Sequence, residues 1–389
     1  MMTYEFGPQY VDTTPSGEKN FIFAVKRYFN VINANYKTKT KDSYYQDYTS
    51  LLFKYINKSK PIDTYTSEDI QEILSNLKKY SGKKLSTIEH TYPVLLYKPC
   101  FYFYEEFGDG DNPLWGSAYS SEDILKKGDL RVIKKSLSPE EEKTVVNYLL
   151  LNPKTEKGEN CGLATSLSCS TRNNESCGVN FGDLLQLQAY PGRYVLRIVQ
   201  TTMINSNKLK ASGKTANAPR MIATISAFDN FIKKRMEYLQ SILTFPIENE
   251  DGVFNSVLDL PIACKGTNYT KRCNSSNLSK AGRELFRDVL HMREQDVASI
   301  DADRLAAIDD DVIEADPTTY LFRRNMASHC FGLGLTPVER QYYMGHKIED
   351  RRYRRCDFMD EDYLYAISKK LDNCSINKYY YDANDNSTD

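Results

Sequence analysis

The segment Ser170-Thr171-Arg172-Asn173-Asn174-Glu175 sets an arginine and a glutamate three positions apart. On a helix that spacing places both on one face, where they can pair. Alone it describes a surface ion pair worth well under ~1 kcal/mol. Ser212-Gly213-Lys214-Thr215 lies between two stretches that read as strands, so Lys214 stands at a hairpin tip. A lysine there can reach a phosphate or protonate a departing oxygen; a solvated tip lysine is the ordinary alternative. The richest stretch runs Tyr320-Leu321-Phe322-Arg323-Arg324-Asn325, passes Gly332-Leu333-Gly334, and reaches Met344-Gly345-His346-Lys347. Arg323 and His346 are 346 − 323 = 23 residues apart. A helix, a glycine-rich turn and a second helix can bring that histidine back to the arginine. Tyr353 follows inside Arg351-Arg352-Tyr353-Arg354-Arg355. Cationic surroundings favour the phenolate and lower a tyrosine's pKa; one packed tyrosine among solvated arginines is the plainer reading.

Elements must hold these residues in place. Phe21, Val25, Tyr28, Phe29 and Ile32 recur at helical spacing, and a second helix is expected from about Ser43. Thr66-Ser67-Glu68-Asp69 is a capping signal before Ile70, Ile73, Leu74 and Leu77. A fourth helix follows Ser86 toward Phe107, with Pro99 a candidate interruption, and Gly108-Asp109-Gly110-Asp111-Asn112-Pro113 ends the block. Ser138-Pro139-Glu140-Glu141-Glu142 is a helix start, with Pro at the first helical position and acids in the first turn. A helix through Leu163–Ser170, strands at Tyr194–Gln200 and Arg220–Ile225, a polar loop at Asn205–Ala218, and a helical pattern from Ala227 onward complete the expectation. The fold class is therefore mainly α with a small β-sheet (α+β). The organisation expected is a flexible leader over 1–18, a helical domain over 19–115, a linker over 116–137, a second domain over 138–371, and a loose tail over 372–389.

Composition narrows the function classes. With 41% hydrophobic and 26% charged residues the chain reads as globular rather than disordered. No apolar run approaches the ~20 residues that span a bilayer. Met1-Met2-Thr3-Tyr4-Glu5 lacks the basic-then-apolar layout of a secretion signal, so a cytoplasmic location is expected. The nine cysteines include no C-x-x-C pair and only four histidines accompany them, so reduced buried thiols are expected rather than a metal site. Net charge is −1, which argues against a nonspecific nucleic-acid coat. Its distribution is uneven. Lys19 to Lys60 holds nine Lys/Arg, including Lys37, Lys39 and Lys41, against Asp42 and Asp47. Arg323 to Cys356 holds eight, including Arg324 and Lys347, against three acids, while 296–316 holds eight acids and one arginine. Two basic regions and one acidic insert are compatible with DNA contact.

The ordered set Arg-x-x-Glu, hairpin lysine, x-x-Arg, Met-Gly-His and tyrosine resembles the signature of the tyrosine recombinase (phage integrase) family over about residues 19–371. The resemblance implies a helical core-binding domain followed by a catalytic domain that cuts and rejoins DNA. It implies Arg172, Lys214, Arg323, His346 and Tyr353 as catalytic residues, with Glu175 and Tyr320 supporting. Lys37, Lys39, Lys41, Arg324 and Lys347 would contact DNA. It further implies no cofactor, double-stranded DNA held in a clamp, a homotetramer on paired sites, and no membrane. Two departures stand out. Tyr320 occupies the position where the family usually has histidine or lysine. Tyr353 lies two residues earlier than the usual distance of about nine after the Gly-His pair, where this chain has Arg355. Either the last helix is displaced or the nucleophile is lost. The expected function is a site-specific recombinase or integrase of a mobile element, the alternative a DNA-binding accessory or regulatory protein on the same scaffold.

Overall fold

A computed structural model of the chain describes residues 4–36, 38–83, 88, 91–108, 131–133, 137–203, 206–211, 219–292, 312–314, 318–346, 348 and 360–385. The chain divides into two compact units, one comprising 1–133 with 296–313 and the other 134–295 with 314–389.

The first unit is built by aromatic burial. Helices α1 (Phe21–Asn35), α2 (Thr38–Ser50), α3 (Ser67–Tyr80) and α4 (Tyr92–Phe107) enclose Phe21, Val25, Tyr28, Phe29, Tyr48, Leu77 and Leu96. Asn20 starts α1, its side-chain oxygen accepting from the Ile22 and Phe23 amides at 3.0 and 3.2 Å, which satisfies two otherwise orphaned donors. Thr66 and Asp69 form the capping box of α3. Pro99 lies inside α4 without ending it. The leader expected to be loose is instead docked. Tyr4 and Phe6 pack on Phe29 and Tyr45, and the Tyr10 ring sits 4.9 Å from that of Phe53. Their hydroxyl and ring surfaces are satisfied there, the Tyr4 hydroxyl donating to Asp42 at 2.6 Å. The linker expected at 116–137 lies outside the described residues except for β1 (Arg131–Ile133) and positions 137. The acidic stretch is described only at β11 (Val312–Glu314), which pairs with β1.

The second unit is organised around α6 (Gly158–Cys169), whose residues are all buried apart from Glu159. A helix apolar or small on every side belongs inside a core. It is surrounded by α5 (Pro139–Leu150), α8 (Ser226–Ile242), α9 (Ser275–Asp288) and α10 (Tyr320–Gly332). After α6 come the short α7 (Asn173–Ser176) and an antiparallel sheet of β2 (Leu184–Gln186), β3 (Tyr194–Ile198) and β6 (Arg220–Ala223), in the order β2-β3-β6. Its register pairs Ile198 with Arg220. Then follow α11 (Pro337–Tyr343), α12 (Glu361–Leu371) and α13 (Ser375–Asp385).

Three local expectations fail here. The polar stretch after Asn205 contains β5 (Leu209–Ala211), paired with β4 (Gln200–Thr202); backbone pairing overrode a composition that read as loop. The region after α8 is not continuously helical. It forms hairpins β7 (Ile247–Asn249) with β8 (Gly252–Phe254), and β9 (Cys264–Lys265) with β10 (Asn268–Arg272). Their two-residue tips are Glu250-Asp251 and Gly266-Thr267, with Gly252 (φ 137°) and Gly266 (φ 55°) supplying the positive φ at each turn. The tail is ordered as α13, with Ile376 and Tyr380 buried against the core that includes α5 and α8. Its period of apolar side chains, hidden among Asn and Asp, suffices to dock it. Eight cysteines are free and buried, and Cys356 lies outside the described residues. Among the described residues no helix is long and apolar enough to cross a membrane.

Candidate active site

The site begins where α6 stops. Ser170, fully buried, takes a left-handed conformation with φ 54°, and turns the chain out of the helix. Arg172 then caps α7. Glu175, three residues on, accepts from the Arg172 amide at 2.9 Å with one oxygen and from Arg172 Nη1 at 2.9 Å with the other. The Arg172 side chain remains 38% exposed while Glu175 is buried.

Arg323 comes in from α10, completely buried. Its Nη1 donates to the Ser170 carbonyl at 2.5 Å and lies 3.9 Å from Glu175 Oε2. Its Nη2 donates to the Met344 carbonyl and lies 3.5 Å from His346 Nε2. The 23-residue return is made by α10, the Gly334 turn with φ 74°, and α11, which Thr336 and Glu339 cap. Because guanidinium only donates, His346 Nε2 faces it as acceptor and the ring proton belongs on Nδ1. Burial, then the charges of Arg323, Arg172 and Arg220, lower the His346 pKa from its usual 6.5. The ring is accordingly neutral at neutral pH. Burial first, then the Arg172 charge, also lowers the Arg323 pKa, with Glu175 opposing; the group remains a cation.

One participant went unnoticed in the sequence. Arg220, at the start of β6, is completely buried and grips both Glu175 oxygens, Nη1 to Oε1 at 3.2 Å and Nη2 to Oε2 at 3.1 Å. Its Nε donates to the Tyr343 carbonyl at 3.1 Å. The signal was a charged residue heading the apolar run Met221-Ile222-Ala223, which is easily passed over as a strand end. Burial would raise the Glu175 pKa, but the Arg220 charge and hydrogen bonds, the Arg172 amide and the Arg172 charge outweigh it and bring it down to about 2.

Arg172, Glu175, Arg323 and His346 are thus brought together. Tyr320 is 48% exposed, with the Arg323 guanidinium carbon 5.8 Å from its ring centre. Lys214 and Tyr353 lie outside the described residues, as do Lys37 and Lys347. Lys39 lies in α2, and Lys41 on the same helix and Arg324 on α10 are half-buried. Among the described residues no group of three or more His, Cys, Asp or Glu is arranged to hold a metal ion.

No protein-family model matches the chain, and no curated protein matches it by sequence. Solved structures do match in fold. The Tn1549 transposon integrase in complex with transposon right end DNA superposes with a TM-score of 0.61 at 16% identity, covering 90% of this chain and 99% of that one. A lambda integrase dimer bound to a COC′ core site gives 0.51 at 13%, covering 87% and 94%. A lambda integrase tetramer bound to a Holliday junction gives 0.51 at 12%, covering 90% and 84%. The shared architecture is mainly helical with small sheets, as expected of the α+β class.

Proposed function

We propose that this chain, which has the fold of the tyrosine recombinases, is a site-specific DNA recombinase that cuts and rejoins strands through a 3′-phosphotyrosyl intermediate, in the service of a mobile element. One observation carries the reading. Three guanidiniums, Arg172, Arg220 and Arg323, meet a single carboxylate, Glu175. Their formal sum is 3 − 1 = +2, at a place where Arg172 is half-exposed and His346 is exposed. Such an excess of positive charge among the described residues, held by buried contacts, suits an anion that arrives from solvent.

A phosphodiester is such an anion. In the proposed reaction the Tyr353 oxygen attacks phosphorus, a phosphorus–tyrosine bond forms, and the bond to the 5′ oxygen breaks. Lys214 supplies the proton to that departing oxygen. Arg172 and Arg323 neutralise the non-bridging oxygens, where charge accumulates, with fixed forks of donors. His346, neutral with its proton on Nδ1, hydrogen-bonds the phosphate, and the Tyr353 hydroxyl gives up its proton to solvent water as its oxygen attacks. Attack by a 5′ hydroxyl on the phosphotyrosine reverses the step, so bond energy is conserved and no nucleotide cofactor is needed. Residues 19–115 and 138–371 would serve as core-binding and catalytic domains, acting in the cytoplasm as a tetramer on paired DNA sites. Affinity from lysine and arginine contacts to phosphate would fall steeply with salt.

The test is a nicked duplex carrying an end of the encoding element. Wild type is expected to form a covalent protein–DNA adduct that Tyr353→Phe does not form. A gel shift without any adduct from wild type would leave a DNA binder and remove the enzyme.

A further inference from the structure

Resting on that reading, we propose that Arg220 is a positioning residue that sets Arg172 and His346 in register with one another. Its hydrogen bonds reach two different parts of the site. The paired Nη atoms hold both oxygens of Glu175, which in turn orient the amide and Nη1 of Arg172. The Nε atom holds the Tyr343 carbonyl, at the end of the helix that leads into His346. One rigid, planar group therefore fixes the distance between the N-terminus of α7 and the C-terminus of α11.

The contact with the second part is tight as well as hydrogen-bonded. Gly345 has φ 62°, and a Cβ built there would lie 2.6 Å from Arg220 Nη1 and 2.8 Å from its Cζ. The turn before His346 thus lies directly against the guanidinium, closer than any side-chain-bearing residue allows. The strand register that pairs Arg220 with Ile198 anchors the other end of the side chain in the sheet. Lysine cannot reproduce this. Its donors radiate from one nitrogen, so it cannot span two carboxylate oxygens and a carbonyl lying along the edge of a plane.

The Arg220 side chain is fully buried. Its effect must pass through Glu175 and the Met344-Gly345-His346 turn. The experiment uses the full chain with Arg220→Lys, Arg220→Met, Arg172→Lys and the Arg220→Lys/Arg172→Lys pair. Imidazole titration by NMR needs no DNA. The His346 midpoint is expected to shift in Arg220→Lys, which keeps the charge and loses the planar fork, and to rise in Arg220→Met. On the nicked duplex, Arg220→Lys is expected to cut about 10²-fold more slowly with unchanged gel-shift affinity. The double variant should be no slower than the worse single one, because both act on one assembly. A folded Arg220→Lys that cuts at the wild-type rate, or whose His346 midpoint does not move, overturns the proposal. Should wild type form no adduct at all, the recombinase reading fails, and the His346 titration alone then decides whether Arg220 sets the geometry.

Discussion

Two buried carboxylates in the second unit, Glu175 and Glu142, face the same helix, α10, and end in different chemistry. Glu142 sits in the first turn of α5 and meets His329 Nε2 at 2.6 Å, with Asn325 Nδ2 and Ser375 Oγ close by. Apart from the histidine, these donors are neutral. Burial would raise the Glu142 pKa, but the His329 hydrogen bond and charge, then Ser375 and Asn325, lower it. Nothing in that cluster asks for a further anion, and its product is the docking of α13. Around Glu175 the donors are permanent cations and outnumber the acceptor. Both arrangements satisfy their carboxylate. Only one leaves an excess of charge, and that excess distinguishes a place for a ligand from a fastening.

The sharpest way to break the comparison is to neutralise each carboxylate. Glu175→Gln removes the carboxylate that faces the buried Arg220 and Arg323 and is expected to cost about 3–5 kcal/mol in urea unfolding. Glu142→Gln keeps a hydrogen-bonding group among the Asn325 and Ser375 donors, and should cost about 1–3 kcal/mol. Equal losses would erase the distinction. Acid should then separate the two in a predictable direction. The Glu175 pKa falls from 4.5 unfolded to about 2 folded, so its stabilisation is complete above 4.5 and is lost as pH falls toward 2. Its full size is on the order of 3 kcal/mol. The gap between wild type and Glu175→Gln should close across that window; a constant gap would mean that the charge is not what stabilises. Ser375→Ala is smaller, about 1 kcal/mol, and should speed amide exchange within Ser375–Asp385 without changing the His346 titration. Smallest is Arg172→Lys. Its side chain is 38% exposed, so stability should change by under ~1 kcal/mol, placing its value in ligand contact rather than in the fold. A large loss of stability there would count it among the fastenings.

The four convergent residues were legible because chemistry fixes their types and the chain order fixes their sequence along it. Arg172 with Glu175, and Arg323 with His346, each combine a short spacing with an element boundary that can be read locally. Arg220 was not legible. Its partners, Glu175 and Tyr343, are 45 and 123 residues away, and no local pattern reports a contact of that span. The helices of the first unit announced themselves through aromatic periodicity and the Thr66 cap. The hairpins between Ile247 and Arg272 did not, because strands of two to five residues are too short for an alternating pattern to register. The C-terminal helix was hidden for another reason. Its polar residues suggested a loose end, whereas Asn377 donates to Asp372 and accepts from the Ala227 amide at 2.7 Å.

The thiols give the molecule a built-in clock. Cys100 is the described cysteine of the first unit, and Cys161, Cys169, Cys177, Cys264, Cys273, Cys330 and Cys374 belong to the second. Burial raises the pKa of each, leaving little thiolate to react. An alkylating reagent can reach such a sulfur only during an opening of its own surroundings. Mass spectrometry of alkylated peptides would therefore time the breathing of the aromatic bundle and of the arginine-bearing half separately, in one untagged sample.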